Sequence, residues 1–196
     1  MAQNPVKIST KLIVIGGSSG SLDALLNIFA SLDKAFDIAI IIVMHRNSDP
    51  NTSLVELLSA KTNLSVKEAD EKEMILPGYI YVAPPDYHLL IEKDKSLSLD
   101  DSEKVKYSRP SIDVTFQSAA DAYKNNLVAV LLSGANADGS EGIAYIKTLG
   151  GKAVIQNPAE ALFAYMPQKA ISQTKVDGVF NATEIGNYLN RLNKEN

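Results

Sequence analysis

Short apolar runs alternate along this chain with longer segments in which apolar residues recur every three or four positions. The first apolar run covers residues 12–15, a glycine- and serine-rich segment follows at 16–21, and residues 22–32 are amphipathic. A run of roughly four to eight apolar residues is typical of a buried strand, whereas the longer repeat is typical of a helix. The pattern therefore predicts a strand, a tight turn and a helix near the start of the chain.

The same succession continues to the end of the chain, with one interruption. Two segments, 87–91 and 97–99, surround a charged tip, and this arrangement predicts an antiparallel hairpin. We predict further strands at 38–43, 64–67, 79–83, 127–132, 152–156 and 176–180, and further helices at 49–61, 112–123, 140–149, 166–174 and 182–192. This alternation favours an α/β fold: a three-layer, doubly wound, mainly parallel sheet with the hairpin inserted.

Composition narrows the classes of protein that fit. The 196 residues contain no long linker, so we expect one domain, 1–196, whose first ten residues form a frayed leader. The net charge is -4, and acidic and basic residues are interspersed along the chain, which argues against a nucleic-acid partner. There are no cysteines and only two histidines, so we predict no metal site and no cofactor. The longest apolar run, 38–44, is far below the roughly 20 residues that cross a bilayer, which predicts a cytoplasmic protein without membrane insertion.

Two kinds of chemistry fit the turn at 16–20, which reads Gly-Gly-Ser-Ser-Gly. A dinucleotide-binding loop needs the spacing G-x-G-x-x-G and an acidic residue at the end of the next strand, and this chain has neither. A nucleophile elbow needs G-x-S-x-G, which the chain has, with Ser18 at its apex. The backbone N–H of Ser19 would then face an oxyanion. A glycine-rich turn without chemistry remains an alternative.

Three polar side chains follow predicted strands at the point where each strand ends. Ser18 follows the strand 12–15, His45 follows the next strand, and Asp138 comes shortly after the strand 127–132. Because the carboxyl ends of parallel strands meet at one edge of a sheet, we expect these side chains to lie close together. A histidine that takes a proton from a serine hydroxyl, and a carboxylate that orients the histidine, would activate the serine as a nucleophile.

Each of these residues also has a reading that requires no catalysis. His45 could bond a backbone carbonyl at the strand end, and Asp138 could be the N-cap of the helix 140–149. Asp113 or Asp23 could supply the carboxylate instead of Asp138.

The remaining candidates are less specific. His88 lies in an alternating strand pattern, which favours a structural or surface role over catalysis. Arg46 and Arg109 could hold an anionic substrate or could be solvated charges at the ends of loops.

Across residues 11–192 the sequence resembles the catalytic domain of the chemotaxis protein-glutamate methylesterases, the CheB family. The blocks that carry the resemblance occur in the family's order. They are Ile-Gly-Gly-Ser-Ser-Gly at 15–20, the strand end at His45, Leu-Pro-Gly-Tyr-Ile-Tyr-Val-Ala-Pro at 76–84, Arg-Pro-Ser-Ile-Asp-Val at 109–114, Leu-Ser-Gly-Ala-Asn-Ala-Asp-Gly-Ser-Glu-Gly at 132–142, and Gln-Asn-Pro at 156–158 followed by Met-Pro at 166–167.

The resemblance implies that Ser18 is the nucleophile, His45 the general base and Asp138 the aspartate of a catalytic triad. It implies hydrolysis of γ-glutamyl methyl esters on the cytoplasmic helices of chemoreceptors, and deamidation of receptor glutamines as a second activity. We expect a monomer that works without nucleic acid, and a separate regulatory protein is left open. The alternative is a non-catalytic module of the same fold that binds receptor helices.

The chain departs from the usual family pattern in three places. The family turn usually reads Gly-Ala-Ser-Thr-Gly-Gly, whereas residues 16–21 read Gly-Gly-Ser-Ser-Gly-Ser, and Ser19 keeps both a hydroxyl and an N–H. The family often has Met-Gly-Asn before the aspartate, whereas residues 135–137 are Ala-Asn-Ala, which removes a bulky side chain beside the site. The resemblance begins almost at Met1, so we expect no N-terminal receiver domain.

Overall fold

The computed structural model describes residues 11–45 and 54–195 of the chain. Within these residues the strands are β1 (Leu12–Gly17), β2 (Ala39–Met44), β3 (Ser65–Glu68), β4 (Tyr79–Val82), β5 (His88–Ile91), β6 (Leu97–Asp100), β7 (Leu127–Leu131), β8 (Lys152–Gln156) and β9 (Gly178–Phe180). The helices are α1 (Leu22–Ala30), α2 (Leu54–Ser59), α3 (Ile112–Tyr123), α4 (Ser140–Thr148), α5 (Tyr165–Gln173) and α6 (Ala182–Lys194). None of these helices is both long and apolar enough to cross a membrane.

Seven strands form one parallel sheet in the order β3-β4-β2-β1-β7-β8-β9. Strands β2, β4 and β3 lie on one side of β1. Strands β7, β8 and β9, which come later in the sequence, lie on the other side. The order therefore reverses between β1 and β7, and the carboxyl ends of the strands around such a switch point form a crevice. This crevice is where the side chains that follow β1, β2 and β7 meet.

Side chains alternate between the two faces of the sheet, so each face is covered by its own helical layer. Leu12 and Val14 of β1 belong to the core under α3, α4 and α5. Ile13 and Ile15 belong to the core under α1, α2 and α6. All four side chains are buried, as expected for a parallel strand covered on both faces.

The hairpin β5–β6 forms a separate antiparallel sheet that packs on α3. Thr115 Oγ1 donates to the carbonyl of Leu89 at 2.7 Å, and the N–H of Ile91 donates to Ser118 Oγ at 3.1 Å. The predicted class, a doubly wound parallel sheet in three layers with an inserted hairpin, is confirmed.

The first strand is longer than predicted, because Gly16 and Gly17 belong to β1 and not to the turn. They pair with Val43 and Met44 of β2. A Cβ added to Gly16 would lie 2.4 Å from Ile112 Cγ2, so only glycine lets α3 approach the strand this closely. Sequence propensity disfavours glycine in strands, and this helix contact overrides that preference.

Most other predicted boundaries differ from the observed ones by one or two residues. The first helix ends at Ala30 and not at residue 32. Ser31 is its C-cap, and the Ser31 Oγ donates to the carbonyl of Ile28 at 2.7 Å. The predicted leader and the predicted start of the helix 49–61 lie outside the described residues.

Candidate active site

Ser18 stands directly after β1, in a turn whose backbone is held from both sides. The N–H of Ser18 donates to the carbonyl of Ser133, which follows β7, at 2.9 Å. The carbonyl of Ser18 accepts the N–H of Ser21 at 3.1 Å and the hydroxyl of Ser21 at 2.7 Å. With its backbone bound, Ser18 presents its side chain at the crevice.

His45 follows β2 and bridges the other two polar side chains. Its Nδ1 is 3.1 Å from Ser18 Oγ, and its Nε2 is 2.7 Å from Asp138 Oδ2. An ionised carboxylate can only accept, so we assign the ring proton to Nε2, which leaves Nδ1 free to accept the Ser18 hydroxyl. The His45 side chain is 15% exposed and the Asp138 side chain is fully buried. The row of three hydrogen-bonded side chains therefore has its aspartate end in the interior and its serine end toward the solvent.

Asp138 accepts hydrogen bonds from several directions. Besides His45, the donors are the Ser111 hydroxyl at 2.9 Å and the backbone N–H groups of Ile112 at 2.7 Å, Asp113 at 3.0 Å and Gly139 at 3.0 Å. Burial favours the neutral acid, but the hydrogen bonds from His45, Asp113 and Ile112 outweigh it and lower the pKa of Asp138. The carboxylate is therefore ionised and fixed in direction.

The reading of Asp138 as the N-cap of its own helix is wrong. The N-cap of α4 is Gly139, in a left-handed conformation with φ 88°. The Asp138 carboxylate instead lies at the start of α3, where it takes the free N–H groups of the first two helical residues. The positive end of the α3 dipole therefore faces this carboxylate.

Asp113 and Asp23, the other carboxylates considered, do not contact His45. Asp23 is exposed on α1. Asp113 is buried and accepts from Lys106 Nζ at 2.7 Å and from the N–H of Gly142 in α4 at 2.7 Å. Burial raises the pKa of Asp113, against the opposing effect of its bonds to Lys106 and Gly142.

His88 is buried and belongs to the surroundings of the site, so the surface alternative for it is wrong. Its Nδ1 accepts the N–H of Ser111 at 3.1 Å, and its Nε2 donates to the carbonyl of Glu103 at 3.0 Å. A backbone N–H can only donate and a carbonyl can only accept, so His88 is neutral with its proton on Nε2. Because the Ser111 hydroxyl in turn donates to Asp138, His88 supports the Asp138 carboxylate indirectly, through Ser111.

Sequence reasoning missed the roles of Ser111 and Lys106. For His88 it favoured a structural or surface role, and the structural role is the one observed. The signal for Ser111 was present, because a serine two residues before an aspartate at the start of a helix is a typical N-cap. Its side chain does accept the N–H of Val114, at 3.5 Å.

Ser19 lies next to the Ser18 hydroxyl at the exposed end of the turn. Its carbonyl accepts the Ser133 hydroxyl at 2.8 Å. Within residues 11–45 and 54–195, the Ser19 N–H has no hydrogen-bond partner. A free N–H at the entrance to α1 is suited to a negatively charged oxygen.

Neither arginine is shown to hold an anion. Arg109 donates to the carbonyl of Ser102 at 2.7 Å and also to that of Asp101, so it ties together the loop that precedes α3. Arg46 lies outside the described residues. In the part of the chain that the structure describes, no cluster of histidine and carboxylate side chains could hold a metal ion.

Serine, histidine and aspartate are thus joined in one hydrogen-bonded chain at the switch point of the sheet. Such a chain can move a proton from a hydroxyl to an imidazole while a buried carboxylate stabilises the imidazolium. The side chains come from loops after three neighbouring strands, β2, β1 and β7, so the sheet holds their backbones rigidly relative to one another.

Known proteins share both this sequence and this fold. A Leptospira interrogans protein with the provisional name protein-glutamate methylesterase/protein-glutamine glutaminase is 45% identical over 184 residues, covering 94% of this chain and 95% of that protein. A Thermotoga maritima protein-glutamate methylesterase/protein-glutamine glutaminase is 34% identical over 188 residues, and the chain spans 55% of its length.

A solved structure agrees with these relatives. The crystal structure of the Thermotoga maritima CheB methylesterase catalytic domain superposes with a TM-score of 0.89 at 34% identity, covering 94% of this chain and all of that domain. The sequence model of the CheB methylesterase family matches residues 13–189. The resemblance found in the sequence is confirmed: this chain belongs to the CheB methylesterase family.

Proposed function

We propose that this chain is a serine hydrolase that removes methyl groups from glutamate γ-methyl esters of chemoreceptors. In this proposal Ser18 is the nucleophile, His45 the general base, and Asp138 the carboxylate that orients His45. The observation that carries it is the unbroken chain from Ser18 Oγ through His45 to Asp138, at 3.1 Å and 2.7 Å. The names of the relatives, protein-glutamate methylesterase/protein-glutamine glutaminase, support the substrate class.

The reaction begins when Ser18 Oγ attacks the ester carbonyl carbon and its proton passes to His45 Nδ1. The bond from that carbon to the methoxy oxygen then breaks, and His45 returns the proton to this oxygen, releasing methanol. Water attacks the resulting acyl-serine with His45 again as the base, which frees the glutamate side chain and restores the Ser18 hydroxyl. The sum is one ester and one water converted to one carboxylic acid and one alcohol.

The tetrahedral intermediate carries a negative oxygen that needs a donor. The Ser19 N–H is the donor we assign, since it lies next to the nucleophile and is free of partners among the described residues. Loss of one such donor typically lowers kcat by roughly 10²- to 10³-fold.

The same site serves a glutamine side chain as a second substrate. An amide differs from the ester in its leaving group, which departs as ammonia after taking the proton from His45. The nucleophile, the oxyanion donor and the orienting carboxylate are unchanged, so one site carries out both reactions.

Partner and cellular location belong to the same proposal. We assign the cytoplasmic helices of a methylated chemoreceptor as the substrate, a cytoplasmic location and a monomeric state. The non-catalytic alternative is not favoured, because a pure binding module has no need of a buried carboxylate aligned behind a histidine and a serine.

The test is release of methanol from a chemoreceptor fragment whose glutamates carry radiolabelled methyl esters. The wild-type protein is expected to convert the label to volatile methanol in a time-dependent reaction. Full retention of the label on the receptor, with protein that is folded by circular dichroism, would overturn the proposal.

A further inference from the structure

A segment with three exposed apolar side chains borders the turn that carries Ser18. It consists of Leu162, Phe163 and Tyr165, which are 76%, 43% and 54% exposed. We call these three residues the apolar rim. Large apolar side chains rarely cluster on a surface without a partner, whereas single ones are common. The other exposed large apolar side chains in the described residues are spread over the sequence: Leu57, Tyr87, Tyr107, Tyr145 and Val179.

The backbone of the rim is fixed although its side chains are exposed. The N–H of Phe163 donates to Ser133 Oγ at 2.9 Å, and the carbonyl of Phe163 accepts the N–H of Gly134 at 3.1 Å. The N–H of Met166 donates to the carbonyl of Gly134 at 3.0 Å. A surface ordered in advance loses less conformational entropy on binding, so it is suited to hold a partner.

Leu162 is the member of the rim that contacts the turn of the nucleophile. A Cβ added to Gly20 would lie 2.6 Å from Leu162 Cβ, so the Gly20 backbone is in contact with Leu162. Gly20 is two residues beyond Ser18, and successive Cα atoms are about 3.8 Å apart, so the two Cα atoms are at most about 8 Å apart. The Ser133 hydroxyl also joins the two segments, because it donates to the carbonyl of Ser19 and accepts from Phe163.

A methylated glutamate brings its own backbone close to this rim. Its ester carbon is three bonds from Cα, or about 4 Å, and attack by Ser18 Oγ requires an approach of about 3–3.5 Å. The substrate Cα must then lie within about 8 Å of Ser18 Oγ. On a helix, the neighbours three and four residues away lie about 5–6 Å from the glutamate on the same face. This spacing is comparable with the span of at most about 8 Å from Ser18 Cα to the Cα of Gly20, which Leu162 contacts.

We propose that the apolar rim is the docking surface for apolar side chains one helical turn from the methylated glutamate of the substrate. This proposal rests on the proposed function, because the substrate helix is assigned there. Leu162 is the central contact, since it is the most exposed member and lies against the turn of the nucleophile. The rim therefore selects glutamates whose neighbours at this spacing are apolar.

The experiment compares two substrates in the variant Leu162→Ser. One is a methylated chemoreceptor fragment, and the other is the γ-methyl ester of N-acetylglutamate α-amide, which has no neighbouring side chains. We expect kcat/KM for the fragment to fall at least about tenfold more than kcat/KM for the small ester, through a higher KM. The matched control is Val179→Ser, on the edge strand β9 three strands from β1, whose side chain is 41% exposed. It is expected to leave both substrates unaffected.

A second measurement does not depend on turnover. In a Ser18→Ala background, Leu162→Ser is expected to weaken binding of the methylated fragment at least about tenfold, and Val179→Ser is not. Equal losses on both substrates, or no loss on either, would overturn the docking proposal while the esterase activity stands. Conversion of a dimer to a monomer by Leu162→Ser, measured by sedimentation, would assign the rim to self-association and overturn it as well. If the wild type hydrolyses neither ester, the proposed function itself fails, and the docking proposal fails with it.

Discussion

Asp138 accepts hydrogen bonds at the start of α3, the helix of Asp113, and Asp113 accepts one at the start of α4, the helix that follows Asp138. The carboxylate of Asp138, which stands just before α4, accepts two N–H groups from the first turn of α3. The carboxylate of Asp113, which belongs to α3, accepts the N–H of Gly142 in the first turn of α4. Each start of a helix therefore faces a carboxylate from the other helix or from the residue just before it, and Asp138 is held where α3 and α4 approach one another.

Asp138→Asn is expected to lower kcat by roughly 10³- to 10⁴-fold. The amide can accept on only one side, so its NH₂ group must face N–H or O–H donors that now bond the carboxylate. If the NH₂ group faces His45, the ring proton moves to Nδ1 and the histidine no longer accepts the Ser18 hydroxyl. The measurement is steady-state methanol release.

The control for this variant is Asp121→Asn, which removes a charge from an exposed aspartate of α3 whose carboxylate accepts the Tyr145 hydroxyl at 2.8 Å. Its kcat is expected to match that of the wild type. A similar loss in both variants would show that Asp138 has no role beyond that of a helix carboxylate.

Asp113→Asn and Asp138→Asn are expected to change the pH dependence of stability in opposite directions. Burial raises the pKa of Asp113 above its unfolded value of about 3.9. Between the unfolded and the folded pKa the folded state binds more protons, so the free energy of unfolding falls as the pH rises through this range. Asparagine cannot titrate, so the free energy of unfolding of Asp113→Asn should rise relative to that of the wild type as the pH increases from about 4 through the raised pKa of Asp113.

Asp138 behaves in the opposite sense. Burial opposes ionisation, but hydrogen bonds lower its pKa, so its stabilising contribution is present above about pH 4 and is lost as pH falls through the folded pKa. The deficit of Asp138→Asn relative to the wild type should therefore shrink in acid. Denaturant unfolding at a series of pH values measures both differences, and a pH-independent difference for either variant contradicts its assigned shift.

Replacement of His88 by asparagine or by glutamine distinguishes its two hydrogen bonds. Asparagine places an oxygen near the position of Nδ1 and keeps the acceptor for the N–H of Ser111. Glutamine reaches the position of Nε2, keeps the donor to Glu103 and leaves the Ser111 N–H buried without an acceptor. An unsatisfied buried donor costs about 1–3 kcal/mol.

We therefore expect the free energy of unfolding to fall more in His88→Gln than in His88→Asn. We also expect kcat to fall more in His88→Gln, because Ser111 loses its acceptor and moves away from Asp138. Denaturant unfolding and methanol release measure the two effects. A glutamine variant that is more stable and more active than the asparagine variant would show that the bond to Glu103 is the important one.

The positions of Ser18, His45 and Asp138 at one edge of the sheet were predictable from sequence. The apolar runs before them are uninterrupted and bounded by glycine, proline or polar residues, so the strand ends are marked to within one or two residues. Parallel strands place their carboxyl ends together whatever the loops contain. The order of the strands then decides which ends are neighbours. The alternation with helices does not fix that order, and the adjacency of β2, β1 and β7 is a finding of the structure.

The support behind Asp138 could not be predicted in the same way. The burial of His88 depends on how the hairpin β5–β6 packs on α3, and a pattern of alternation does not say which face is covered. The bond from Asp113 to Gly142 depends on the approach of α3 to α4. The local sequence pattern predicted Asp138 as a cap of α4, the helix that follows it. Tertiary packing instead places the Asp138 carboxylate at the start of α3.

Ser18→Ala separates the chemistry from the fold, because it removes one oxygen atom from a side chain at the surface of the crevice. The variant should keep the circular dichroism spectrum and melting temperature of the wild type, and so should the control Ser172→Ala, whose hydroxyl donates to the carbonyl of Lys169 on α5. Methanol release from the methylated receptor should fall at least about a thousandfold in Ser18→Ala and remain unchanged in the control. A folded Ser18→Ala protein that releases methanol within about tenfold of the wild-type rate would contradict Ser18 as the nucleophile.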